Sequence, residues 1–128
     1  MEGKIIDDEE IMTMTDKLTA IAVRYGYDAQ SRQCIEEMAE LTQAINKYYR
    51  KVLKSGRKAF DMTHLLPDAD GFKKIQPDEY HNIVEELADV QIMIWQMSFF
   101  LNADLTDIIQ RKINRQLARI KSEEGKKK

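Results

Sequence analysis

Apolar residues recur along this chain with a helical period, and no stretch shows the strict alternation of a strand. From about Glu10 to Tyr25, Ile11, Met14, Leu18, Ile21, Ala22 and Tyr25 predict an amphipathic helix, with Gly26 ending it as a C′ residue. A second helix is predicted from Ser31 to Lys54, capped by Asp28 or Ser31 and stopped by Ser55-Gly56. Its stripe is Cys34, Met38, Leu41, Ile45, Tyr48 and Val52, spaced four, three, four, three, four. At about 1.5 Å per residue it would be roughly 36 Å long. A third helix, capped by Asp78, repeats that spacing with Ile83, Leu87, Val90, Ile94, Met97 and Leu101. Ile92, Met93, Trp95, Phe99 and Phe100 add apolar surface on its other faces. A helix apolar almost all round is buried on several sides, which in a chain this small predicts an oligomer interface. The fourth helix begins at Asn102 or Asp104 and carries Leu105, Ile108, Ile109, Ile113, Leu117 and Ile120.

The stretches between helices complete the plan. Residues 1–10 are a polar, acidic lead-in, and residues 122–128 read as a solvated tail. Residues 56–78 have no clear period and are punctuated by Gly56, Pro67, Gly71 and Pro77. A connection that long is commonly functional or disordered. The expected fold class is all-α: one domain over residues 1–128, an up-and-down bundle of four main helices that oligomerises through apolar helix faces.

Composition narrows the function classes. With 43% apolar and 33% charged residues the chain suits a helical globular protein, and 128 residues suffice for one core. A formal charge of −2 supplies no field toward nucleic acid or an anionic membrane. The single cysteine, Cys34, excludes an intramolecular disulfide and a cysteine zinc site, and its place on the stripe predicts a buried, inert thiol. Met1-Glu2-Gly3-Lys4 lacks the pattern of a signal peptide, and the apolar window Ile92–Leu101 is half the length of a membrane span. A cytoplasmic location is expected.

The chemistry lies in an octet that occurs twice. Cys34-Ile35-Glu36-Glu37-Met38-Ala39-Glu40-Leu41 returns as Ile83-Val84-Glu85-Glu86-Leu87-Ala88-Asp89-Val90, matched in type at every position. Glu37 and Glu40 are spaced i, i+3, as are Glu86 and Asp89, so each pair shares one helix face bordering the apolar stripe. Antiparallel packing of the two helices would bring all four acids to one point. Like charges at this spacing repel, and no Lys or Arg lies within four residues of Glu37 or Glu86. A hard divalent cation between the clusters removes that cost, and an all-oxygen ligand set selects Mg2+, Ca2+ or Mn2+. An ordinary solvated acidic face explains one such cluster readily; two at identical phase on the two most apolar helices favour a metal. Glu36 and Glu85 fall further from the stripe and are secondary candidates.

Glu36-Glu37-x-x-Glu40 followed by Glu86-x-x-Asp89 resembles the paired acidic signature of the all-α nucleoside triphosphate pyrophosphohydrolases. That superfamily includes MazG-like proteins, dimeric dUTPases, dCTP pyrophosphatases and phosphoribosyl-ATP pyrophosphohydrolase. The resemblance covers roughly residues 15–120 and is closest to the MazG-like form in Val84–Val90. It implies a helical core that forms a dimer or tetramer, Mg2+ (with Mn2+ as a substitute) held by the motif acids, and cleavage between the α- and β-phosphates of a (d)NTP. On that basis Glu37, Glu40, Glu86 and Asp89 are the expected metal ligands, with Glu36 and Glu37 the catalytic carboxylates. It also implies cations and an Asn on the last helix, where Arg111, Lys112, Asn114 and Arg115 stand, although Gln116 occupies a place where lysine is common. Residues 56–78 lengthen the usual spacing between the acidic motifs.

Other residues are weaker candidates. Lys47, Arg50 and Lys51, with Lys54, lie beyond Glu40 and are suited either to substrate phosphates or to a solvated helix end. Trp95, Tyr48 and Tyr49 suit a base-stacking role less well than a core or interface one. His64 and His81 lack metal spacing. Two rival functions remain: a carboxylate-bridged di-metal bundle, which wants Glu-x-x-His on two helices, and a non-catalytic helical interaction module.

Overall fold

The computed structural model describes residues 12–54 and 71–127, and every regular element among them is helical. Four helices follow in order: α1 (Met14–Lys54), α2 (Gly71–Ile75), α3 (Pro77–Phe100) and α4 (Thr106–Lys127). Residues 1–11 and 55–70 lie outside the described residues, with them the lead-in, His64 and most of the long connection. α1 and α3 pack along their length as an antiparallel hairpin, and α2 packs against α3. The all-α class is as the periodicity predicts. The four helices accord with the expected helical bundle, and α4 is exposed from Thr106 to Lys126.

Local chemistry accounts for the helix ends. α1 starts with a reciprocal capping box: the Thr13 N–H donates to Asp16 Oδ2 (3.2 Å) and the Asp16 N–H to Thr13 Oγ1 (3.0 Å). α3 begins at Pro77 with Gln76 as N-cap, not Asp78, since Pro has no N–H to leave unpaired at the first helical position. Its C-terminus closes in a Schellman motif. The Ala103 N–H donates to Ser98 O (3.0 Å) and the Asn102 N–H to Phe99 O (3.1 Å), with Asn102 in the left-handed region at φ 50°. Asp104 Oδ1 accepts the Thr106 N–H (2.9 Å), so the last helix starts at Thr106, later than Asn102 or Asp104. That bond holds the Asp104 carboxyl below its ordinary pKa. Residues 122–126, expected as a solvated tail, are exposed and continue the helix α4. Part of the expected loop is also helical: α2 places Phe72 on Tyr48 (ring centroids 5.9 Å apart), and the Tyr48 hydroxyl donates to Phe72 O (2.8 Å).

Gly26 breaks α1 as its position predicts, but the helix resumes at once, so Asp28 and Ser31 lie within it and cap nothing. Gly26 adopts φ 84°, ψ 168°, a region open essentially to glycine alone. A Cβ there would meet no atom within 4 Å, so backbone strain is the whole constraint. Gly26→Ala is therefore expected to destabilise the fold by about 1–3 kcal/mol, read as a lowered chemical-denaturation midpoint with an unchanged slope.

The packed seam is rotated from the predicted stripe. On α1 it runs through Gln30, Cys34, Glu37, Leu41, Ala44, Tyr48 and Val52; on α3 through Glu79, Ile83, Glu86, Val90, Met93 and Met97. Met38, Ile45, Leu87, Ile94 and Leu101, expected in the core, are exposed. Both helices carry an apolar arc wider than one partner covers, so polar ties choose the angle. Gln96, fully buried, accepts from Gln30 Nε2 (3.4 Å) and donates to Leu18 O (2.9 Å). At the other end Lys51 Nζ meets the buried Glu79 carboxylate at 2.8 Å. Cys34 is buried, as its stripe position implies. No helix among the described residues is long and apolar enough to cross a membrane.

Candidate metal centre

Rotation of the seam draws the acids inward. Glu37 and Glu86, predicted to border the core, stand within the seam and are half-buried, while Glu40 is exposed beside them. Antiparallel packing juxtaposes the two octets: one carboxylate oxygen from each of Glu37, Glu40 and Glu86 lies within 4.8 Å of the others. Asp89 stands at the edge of this group, close enough for the Glu37 charge to act on it. Glu36 and Glu85 are exposed and outside the group.

The electrostatics are those of crowded, partly dehydrated anions. Glu86 is pushed above its ordinary pKa first by burial, then by the charges of Glu40, Glu37 and Asp89. Asp89 is pushed up by burial and then by Glu37. Gln33 Nε2 donates to Glu37 Oε1 at 2.7 Å and orients that carboxylate. Glu37 Oε2 and Glu86 Oε2 are buried with no hydrogen-bond partner. Buried polar atoms without partners are rare and costly, and two carboxylate oxygens facing the same group of acids fit a cation ligand set. The donor set is all oxygen, which suits Mg2+ or Mn2+.

A cavity of about 400 Å3 opens beside the acids, lined by Glu40, Glu86, Lys47, Arg50, Gln43 and Asn82. Lys47 and Arg50 follow Glu40 at the i+7 and i+10 positions, so the same helix face carries them to the acidic group. Gln43 and Asn82 were not singled out from the sequence; Asn82 stands four residues before Glu86, and that spacing was the available signal. Lys51, grouped with Lys47 and Arg50 in the sequence, is committed to Glu79, which lowers the Glu79 pKa and raises that of Lys51. Glu79 was overlooked, although it precedes Glu86 by one heptad on the seam. Lys51→Ala is expected to destabilise more than the double variant Lys51→Ala/Glu79→Gln, because it leaves a buried carboxylate uncompensated; paired thermal melts check the order.

Arg111, Lys112, Asn114 and Arg115 are exposed on α4, and none of them lines the cavity at Glu40 and Glu86. Of the aromatic candidates, Tyr48 is core, Trp95 stacks on Phe99 (5.6 Å), and Tyr49 lines a separate apolar groove with Ile45, Val84 and Leu87. His81 is exposed with its ring against Tyr80. Comparison of the chain with protein-family models, curated proteins and solved structures returned no match.

Proposed function

We propose that this chain is a Mg2+-dependent nucleoside triphosphate pyrophosphohydrolase that cleaves between the α- and β-phosphates, giving a nucleoside monophosphate and pyrophosphate. The observation that carries this reading is the pair of buried, partnerless oxygens of Glu37 and Glu86 beside a cavity lined by Lys47 and Arg50. Acids alone would suit many cations; acids next to two basic side chains suit a cation bound together with a polyanion.

Glu37, Glu40 and Glu86 hold the metal, with Asp89 completing the set from the edge of the group. Bound there, Mg2+ (or Mn2+) would supply neutralisation of the phosphate charge and Lewis-acid polarisation of the phosphoryl group. Lys47 and Arg50 bind the phosphate chain and stabilise the charge that gathers on departing pyrophosphate. Gln43 and Asn82 offer amide donors to the same oxygens. Gln33 holds the Glu37 carboxylate in its orientation as a ligand. Glu36, exposed and outside the acidic group, enters as the base that orients the attacking water and takes its proton only through the resemblance to MazG-like proteins. Arg111, Lys112, Asn114 and Arg115 enter this reading only through the resemblance to MazG-like proteins. A cytoplasmic site of action accords with such a substrate.

The deciding experiment incubates the protein with Mg2+ and a panel of NTPs and dNTPs and separates pyrophosphate from orthophosphate. Pyrophosphate with the matching monophosphate is expected. Orthophosphate alone, no product from any nucleotide, or activity that survives chelation overturns the proposal. A purely interacting helical module would give no product and no Mg2+-dependent stabilisation.

A further inference from the structure

α4 concentrates positive charge on a chain that is slightly acidic overall. Between residues 108 and 122 stand Arg111, Lys112, Arg115, Arg119 and Lys121 and no acid, while Asp107, Glu123 and Glu124 lie towards the helix ends. The formal charge of −2 conceals this segregation. Arg111, Arg115 and Arg119 follow each other at i, i+4, a spacing at which like charges repel even on an exposed helix. Among the described residues none of the five cations forms an ion pair.

The same helix is strongly sided. At about 100° per residue, Ile109, Ile113, Leu117 and Ile120 fall within an arc of about 80°, and they are 48–59% exposed. Lys112 and Lys121 border that arc on its two sides, Arg119 lies just beyond Lys112, and Arg115 is opposite. Long cationic side chains beside an apolar strip lay their stems along it and keep their charged heads in water. α4 is less apolar on average than α1 or α3, yet its apolar residues are gathered more tightly on one side. It is not long and apolar enough to cross a membrane. Low overall hydrophobicity, a sharp apolar face and Lys or Arg on the polar face are the pattern of a helix lying in a bilayer interface.

The side chains select the occupant. A nucleic acid would use the cations and leave the four aliphatic residues in water. A protein groove grips a helix through large anchors, aromatic ones above all, and α4 contains no aromatic residue and no Met. An even row of aliphatics bordered by cations asks for no pocket, only a fluid apolar layer beneath an anionic plane. We propose that α4 docks on the surface of a membrane containing anionic phospholipid, with Ile109, Ile113, Leu117 and Ile120 immersed below the headgroups and Lys112, Arg119 and Lys121 against their phosphates. α4 is exposed from Thr106 to Lys126, so docking asks no packed residue to move. The inference is independent of the hydrolytic reading, because its readout is partition onto vesicles without nucleotide.

The test sediments the full-length chain with vesicles of phosphatidylcholine alone and of phosphatidylcholine mixed with phosphatidylserine. Binding to the mixed vesicles, weakened by salt, is expected. Each Lys or Arg near an anionic surface raises partition about fivefold, so Arg119→Gln/Lys121→Gln should lower it about 25-fold with helical circular dichroism unchanged. Ile113→Ser/Leu117→Ser, which alters only exposed positions, should also release the chain. An environment-sensitive fluorophore on Leu117→Cys should shift to the blue on vesicles, and one on Ala118→Cys, on the far side of the helix, should not; the native Cys34 is buried and stays unlabelled. No binding, or equal binding to both kinds of vesicle, overturns the proposal, as does binding that ignores Ile113→Ser/Leu117→Ser. Tighter retention by a double-stranded DNA or RNA probe, indifferent to those two positions, would assign the cations to nucleic acid. An oligomer that vesicles do not bind and that Ile113→Ser/Leu117→Ser turns into monomer would give the stripe to a second copy, and either result discards the proposal.

Discussion

Glu86→Gln is expected to lower kcat/KM for nucleotide hydrolysis by about 100- to 10,000-fold, equivalent to removing several kcal/mol of charge stabilisation at the metal. The same substitution should raise the melting temperature of the chelated protein. Glu86 is half-buried, crowded by Glu40, Glu37 and Asp89, and has one oxygen with no partner. A neutral amide removes the repulsion, and its N–H group can donate to the orphaned oxygen of Glu37. Loss of activity with a gain in stability separates a ligand from a structural residue, whose replacement would lower both. If activity and melting temperature fall together, Glu86 is structural and the metal centre is misassigned. Lys47→Ala and Arg50→Ala serve as contrasts: they should weaken substrate capture and leave the chelated protein's melting temperature nearly unchanged.

The second large effect is the response to Mg2+ as a function of pH. Burial and neighbouring carboxylates raise Glu86 and Asp89 above their ordinary values of 4.5 and 3.8. The folded chain therefore binds protons more tightly at these positions than the unfolded chain does. Their contribution to stability in the absence of metal is greatest in acid and declines as pH climbs from the ordinary carboxylate range through the raised values. Glu79 and Asp104 work in the opposite sense, being held low by Lys51 and by the Thr106 N–H, so their contributions are lost as pH falls. The difference between wild type and Glu86→Gln isolates the acidic group. Mg2+ requires the ionised carboxylates, so its stabilisation should be small near pH 4.5 and grow as pH rises. At a hundredfold excess over Kd it amounts to about 2.7 kcal/mol, or roughly 10 °C in melting temperature for a domain of this size. A melting temperature indifferent to Mg2+ at neutral pH would remove the metal from the account.

The elements of the fold and the existence of an acidic group were legible in the amino-acid pattern, and their angular setting was not. Periodicity placed the long helices, and Gly26 marked the break in α1, because a glycine between two amphipathic runs has few other uses. The repeated octet named Glu37, Glu40 and Glu86 together because equal phase on antiparallel helices forces equal depth. Periodicity could not tell whether Met38 or Glu37 faced the partner helix. Both lie near the edge of a wide apolar arc, and the choice fell to Gln30, Gln96, Lys51 and Glu79, polar residues that a search for apolar stripes passes over. The helical bundle was legible as a class from the four periodic segments, whereas the exposure of the α4 stripe Ile109, Ile113, Leu117 and Ile120 was not.

Gln96 holds two pieces of α1 at once. Leu18 lies before the Gly26 break and Gln30 after it, so one amide fixes the bend of α1 and the longitudinal alignment of α3. The remaining seam, Ile83, Val90, Met93 and Met97 against Cys34, Leu41 and Val52, is almost uniform in shape, and a slide by one heptad would still bury apolar atoms against apolar atoms. Such a slide would carry Glu86 about 10 Å from Glu37. The acidic constellation is thus keyed from a distance, in the way a single polar residue sets alignment in paired helices. A Gln96→Leu chain, which orphans the buried Gln30 amide and the Leu18 carbonyl, should lose about 1–3 kcal/mol of stability and populate several alignments, seen as doubled NMR resonances at Glu37 and Glu86, and should bind Mg2+ poorly with every acidic side chain intact.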